Sequence, residues 1–99
     1  MPRRELGSPR LTALIYISES EADASNVTIK VEGSLNRESL PVFQEVFAKH
    51  MEAKKWIAID LGGIMGLDRN AKAWLKEIKR SVKFVDMPAY LKLEIGIDP

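Results

Sequence analysis

The run Trp56-Ile-Ala-Ile-Asp-Leu-Gly-Gly-Ile-Met-Gly-Leu-Asp68, leading directly into Arg69-Asn-Ala-Lys-Ala-Trp-Leu75 and Ile78, restricts the possible folds more than any other segment. Its first part, Trp56 to Leu61, has the apolar density of a buried strand. Gly62, Gly63 and Gly66 read as a loosened strand-to-helix loop, and Asp68 stands where a helix N-cap belongs. Ala71, Trp74, Leu75 and Ile78 then recur at spacings of three and four, the apolar face of a helix running from about Arg69 to Arg80. Strand, junction and amphipathic helix in that order make half of a parallel crossover and point to an α/β domain. Helix N–H groups converge at such a junction, where α/β sheets bind their ligands. The residues that chemistry would need are not there. The segment has no Gly-Lys-Ser/Thr for a phosphate, no Cys or His for a metal, and no hydroxyl at the helix start. This predicts a surface that another protein reads.

The remaining segments fit the same class. Leu11, Ala13, Ile15 and Ile17 alternate with polar neighbours and predict a first strand, followed by a polar turn over 18–26. Val27, Ile29 and Val31 alternate with Thr28, Lys30 and Glu32, a half-exposed second strand expected to stop at Gly33. Ser39 is a candidate N-cap for a helix with Pro41 in its first turn and Leu40, Phe43, Val46, Phe47 and Met51 on one face. Val82 to Val85 predicts a fourth strand, and Tyr90 to Ile95, closed by Gly96, a short last helix. The order β-β-α-β-α-β-α implies a small mixed four-stranded sheet with right-handed crossovers. Strand two keeps one polar face and there are only three helices, so these should cover mainly one side of the sheet.

Composition narrows the function. Ninety-nine residues hold one core, expected over residues 11–99, with residues 1–10 a flexible lead-in. A net charge of +1 selects neither nucleic acid nor membrane, and the lack of cysteine removes disulfides and thiol catalysis. The basic N-terminus has no apolar stretch behind it and no run nears the ~20 residues of a membrane span. The expectation is a cytoplasmic protein without membrane insertion.

Several motifs, taken together and in order, resemble the STAS domain, the fold of bacterial anti-sigma factor antagonists and of sulfate-transporter tails. Val31-Glu-Gly-Ser-Leu35 is similar to the family's strand followed by Gly-x-Leu/Ile-Asp. Ile57-Ala-Ile-Asp-Leu61 resembles its third strand, Gly66-Leu67-Asp68 the approach to its Asp-Ser/Thr-Ser/Thr-Gly motif, and Val82 to Asp98 its closing strand and helix. The resemblance spans roughly residues 27–98. It implies a non-enzymatic protein-interaction module that needs no cofactor. The departure falls at the functional spot, where this chain has Asp68-Arg69-Asn70-Ala71. Asn70 stands at the family's phosphoacceptor position and cannot take phosphate, so the resemblance implies a fold without its phosphorylation switch.

Other constellations have plainer readings. Asp60, Asp68 and Asp86 could imitate an acidic magnesium pocket, but Asp68 is better explained as a cap. The Gly62–Gly66 spacing matches neither nucleotide-binding motif. His50 has no partner at a catalytic spacing and reads as a surface residue, while Trp56 and Trp74 read as packing, with an exposed Trp the sign of an interface anchor. Arg69, Lys72, Lys76, Lys79 and Arg80 form a basic stripe, which is either a solvated helix face or a contact for an acidic protein, phosphates or an anionic lipid surface. No aromatic residues interleave it, so nucleic acid is not expected.

These readings converge on a docking module for a regulatory protein, an anti-sigma factor or a related switch kinase. Its partner-binding residues would be Ser34, Leu35 and Asn36 with Asp68, Arg69, Asn70 and Lys72. The alternatives are an accessory STAS subunit of a membrane transporter and a nucleotide-binding domain using the Gly62–Gly66 loop.

Overall fold

A computed structural model describes residues 15–96. The lead-in 1–10, and Leu11 and Ala13 of the expected first strand, lie outside the described residues. The elements are β1 (Ile15–Asp23), β2 (Asn26–Leu35), α1 (Leu40–Glu52), β3 (Trp56–Leu67), α2 (Arg69–Ile78), β4 (Val82–Asp86) and α3 (Ala89–Ile95). They form a four-stranded mixed sheet in the order β1-β2-β3-β4. β1 runs antiparallel to β2, and β2, β3 and β4 are mutually parallel, as two helical crossovers require.

Alternation decides which face the helices cover. Val27, Ile29 and Val31 on β2 and Ile57, Ile59 and Leu61 on β3 are buried, and they form one core with Phe43 and Phe47 of α1, Leu75 of α2, and Leu91 and Ile95 of α3. Trp74 packs edge-on against both phenylalanines, with ring centroids at 5.1 and 5.3 Å. Among the described residues no helix covers the opposite face, with Thr28, Lys30, Ala58 and Asp60. Trp56 shares that parity and is 76% exposed, whereas packing was expected for it.

Several boundaries differ from the expectation. The polar stretch 18–26 is mostly strand, and only Ala24 and Ser25 form the turn. Glu19 and Glu21 can occupy strand positions because side chains from later in the chain reach them: Lys49 lies 3.1 Å from Glu19, His50 pairs with the same carboxylate, and Lys55 pairs with Glu21. His50 is therefore buried, not a surface residue. Met51, placed on the core face by spacing, is exposed, and His50 takes the buried place in that turn. Gly33 does not stop β2. Its φ of 104° kinks the strand while pairing continues to Leu35. α2 ends at Ile78, two residues early, where Ser81 N–H closes a turn onto the Ile78 carbonyl.

The largest correction concerns Gly62 to Gly66, which is not a loop. β3 has twelve residues against the ten of β2, and the two extra residues enter as irregularities, one opposite Lys30–Glu32 and one opposite Gly33–Ser34. The glycines serve close packing within the sheet. A Cβ on Gly62 would lie 2.5 Å from Oδ2 of Asp86, and one on Gly63 would lie 2.7 Å from Cγ of Glu32. The Asp86 and Glu32 carboxylates fill the space beside these two glycines.

Candidate functional site

The two segments named from sequence come together at the carboxyl ends of β2 and β3. Ser34 pairs with Gly66 and Leu35 with Leu67 across the parallel ladder, and the Asp68 N–H donates to the Leu35 carbonyl at 3.0 Å. Asp68 then leaves the strand in an extended conformation, and its Oδ1 accepts the Ala71 N–H at 2.9 Å. This satisfies one of the donors left free at the start of α2. Arg69 and Asn70 follow on the exposed side of the first turn.

The 34–39 turn is held from within. Ser39 is fully buried and does not cap α1 through its side chain: its hydroxyl donates to the Ser34 carbonyl at 2.7 Å and accepts the Asn36 N–H at 2.9 Å. The capping falls to Asn36. Its Oδ1 accepts the N–H groups of Glu38 at 2.9 Å and Ser39 at 3.0 Å, and its carbonyl accepts Leu40 N–H at 2.8 Å. The junction is thus two capped helix starts side by side, one led by Asn36 and the other by Asp68.

The seven named residues divide by what their side chains are free to do. Leu35 is 1% exposed and belongs to the core, so it supports the surface from beneath and cannot touch a partner. Asp68 and the oxygen of Asn36 are engaged as caps. Lys72 forms an ion pair with Glu94 of α3. Arg69 and Asn70 are exposed, and Ser34 is half-buried beside Gly66. The basic stripe divides in the same way. Lys79 donates to the carbonyls of Ile95 and Gly96 at 3.3 and 3.1 Å, closing the end of α3, while Arg69, Lys76 and Arg80 point outward.

One surface residue here escaped the sequence reading. Met65 is 83% exposed, lies between buried Ile64 and Gly66, and has no ladder partner because it is the extra residue of the second irregularity. An apolar residue in a strand reads as core. The signal that could have exposed it was the isolated glycine beside it, which in a strand marks a bulge that re-aims a side chain.

Asp60 and Asp86 are brought together beside Gly62, with Asp60 Oδ1 accepting the Gly62 N–H at 2.9 Å, but Asp68 lies away at the helix start. Among the described residues no three metal-ligating side chains converge, and no helix is long and apolar enough to cross a membrane. Asp23 closes β1 at its turn into β2. The Asn26 side-chain amide and then the Ser25 N–H stabilise its carboxylate and lower its pKa below the ordinary aspartate value. No family model and no curated protein matches the chain.

Proposed function

We propose that the chain is a non-enzymatic, STAS-like interaction module that docks on a regulatory protein, an anti-sigma factor or related switch kinase, in the cytoplasm and without phosphorylation at the usual position. The observation that carries this reading is the joining of the Asn36 and Asp68 helix starts by the Asp68–Leu35 backbone bond, with Arg69 and Asn70 exposed at their rim. A rigid sheet edge presenting ordered turns is the usual setting for recognition. Met65 adds a projecting apolar group to this rim, and contact residues of that kind carry a large share of binding energy when a partner encloses them.

Asn70 has an amide where the family's switch residue has a hydroxyl, so the surface keeps one charge state; a phosphate would add about −1.5 to −2 charges there. The test pairs two measurements. After incubation with ATP and an anti-sigma kinase, mass spectrometry should find no stoichiometric phosphate on Ser34, Ser39 or Ser81. With that kinase-fold protein immobilised, Arg69→Glu should lose binding while its circular dichroism matches wild type. Equal binding by the folded variant would move the site elsewhere.

A further inference from the structure

Side-chain contacts fix the order of the helical layer. Trp74 of α2 packs on Phe43 and Phe47 of α1, while Lys72 and Lys79, on the other flank of α2, reach Glu94 and the carbonyls of Ile95 and Gly96 in α3. α2 therefore lies between α1 and α3. Its buried residues are Ala71, Leu75 and Ile78, so a step of about 100° per residue turns Arg69, Ala73, Lys76 and Arg80 outward. In α3, Leu91 and Ile95 are buried, and Leu93 stands opposite them at 83% exposure. Half-exposed Tyr90 flanks Leu93 on the side of α2, and exposed Lys92 flanks it on the other. Among the described residues, Arg69, Lys76, Arg80 and Lys92 enter no ion pair.

We propose that the outer surface of α2 and α3 docks on an anionic lipid bilayer, with Leu93 entering the interface and Lys76, Arg80 and Lys92 among the headgroups. The charge is complementary, and an apolar group ringed by cations is the composition of an interfacial surface. The shape favours lipid over a folded protein. The seam between the two helices is bridged by the Lys72–Glu94 pair and the Lys79 bonds, so Leu93 and Tyr90 stand out as knobs. A bilayer interface closes around knobs, whereas a folded partner must supply matching hollows. The acidic groups of this layer set the orientation. Glu77 lies on the α1 side of α2, and Glu45 and Glu52 are exposed on α1 itself, so contact is confined to the α2–α3 side. Each cation at an anionic surface strengthens binding roughly fivefold, and with one leucine inserted the association is reversible. Arg69 also belongs to the junction beside Asn36 and stays unchanged in the test, which is thereby independent of protein docking there.

The full chain is sedimented with vesicles of phosphatidylcholine containing about 30% phosphatidylserine, and with pure phosphatidylcholine, at about 0.1 M salt. Binding to the anionic vesicles should be at least about tenfold the stronger and should weaken as salt is raised. Lys76→Gln with Arg80→Gln should reduce it by about 10- to 30-fold. Lys30→Gln with Lys83→Gln removes the same charge from the opposite face of the sheet and should change it less than about threefold. Leu93→Ser, at an exposed position, should weaken binding by about tenfold at every salt concentration. Circular dichroism confirms that each variant is folded. No sedimentation up to about 5 mM lipid, equal binding to both vesicles, or equal losses in the two lysine-containing pairs would overturn lipid docking. So would unchanged binding by folded Leu93→Ser. A chain that ignores vesicles but binds labelled polyglutamate through Lys76 and Arg80 would likewise overturn it, in favour of an acidic protein.

Discussion

The five cations of the basic stripe, Arg69, Lys72, Lys76, Lys79 and Arg80, should not be equivalent to mutation, because two of them hold α3 in place. α3 has seven residues, too few to persist without its neighbours. Leu91 and Ile95 bury its inner face, Lys79 closes its last carbonyls, and Lys72 reaches Glu94. A charged hydrogen bond contributes about 1.5–3 kcal/mol when shielded, and exposure at this surface brings the two Lys79 bonds to ~1 kcal/mol together. The Lys72–Glu94 pair, about a third exposed at each end, adds ~0.5 kcal/mol. Lys72→Gln with Lys79→Gln should therefore cost about 1.5 kcal/mol, a fall in Tm of roughly 6–12 °C for a domain of this size. Lys76→Gln with Arg80→Gln removes the same formal charge from outward positions and should stay within about 0.5 kcal/mol. Calorimetry on the two double variants gives the comparison at equal net charge. Amide exchange would locate the effect, with protection lost over 91–96 only in the first pair. Equal Tm changes in both, or unchanged exchange in α3, would refute the assignment and return the whole stripe to a solvated face.

Asp68→Ala should cost about 0.5–2 kcal/mol through the lost Ala71 cap, read as a lowered urea midpoint at unchanged m-value. Gly62→Ala puts a methyl against the carboxylate end of exposed Asp86, which can turn aside, so the cost should stay under about 1 kcal/mol and shrink further in the Asp86→Ala background; additive losses would show that the contact is not the cause. The carboxyl carbon of Asp23, followed by NMR, should titrate below the value of an aspartate in a short peptide, and Asn26→Ala should raise it. Because the folded state lowers that pKa, the turn's contribution is complete above the ordinary aspartate pKa and is lost as pH falls through the lowered one; a midpoint at or above the peptide value contradicts the Asn26 bond.

The sequence by itself determined the class of the fold. Alternation in Val27–Val31, the apolar density of Ile57–Leu61 and the three-and-four spacing in α1 and α2 are local patterns, and backbone geometry turns each into an element without reference to distant residues. Asp68 was legible as a cap for the same reason: its acceptor serves a donor three residues ahead. Tertiary structure decided what depends on partners far along the chain. Glu19 and Glu21 extend β1 only because Lys49, His50 and Lys55 come back to meet them, from 31 residues away in the case of His50. Gly62 and Gly63 look like a loop until Asp86 and Glu32 are seen to fill the space where their side chains would be. Lys72 and Lys79 are surface charges in a helical projection and tethers in the folded chain, since α3 supplies their acceptors. Trp56 and Met65 have the composition of core residues, but the parity of β3 and its extra residue turn both outward. A strand's sidedness is set by its register against its neighbours, and a register is a property of pairs of segments that neither segment carries alone.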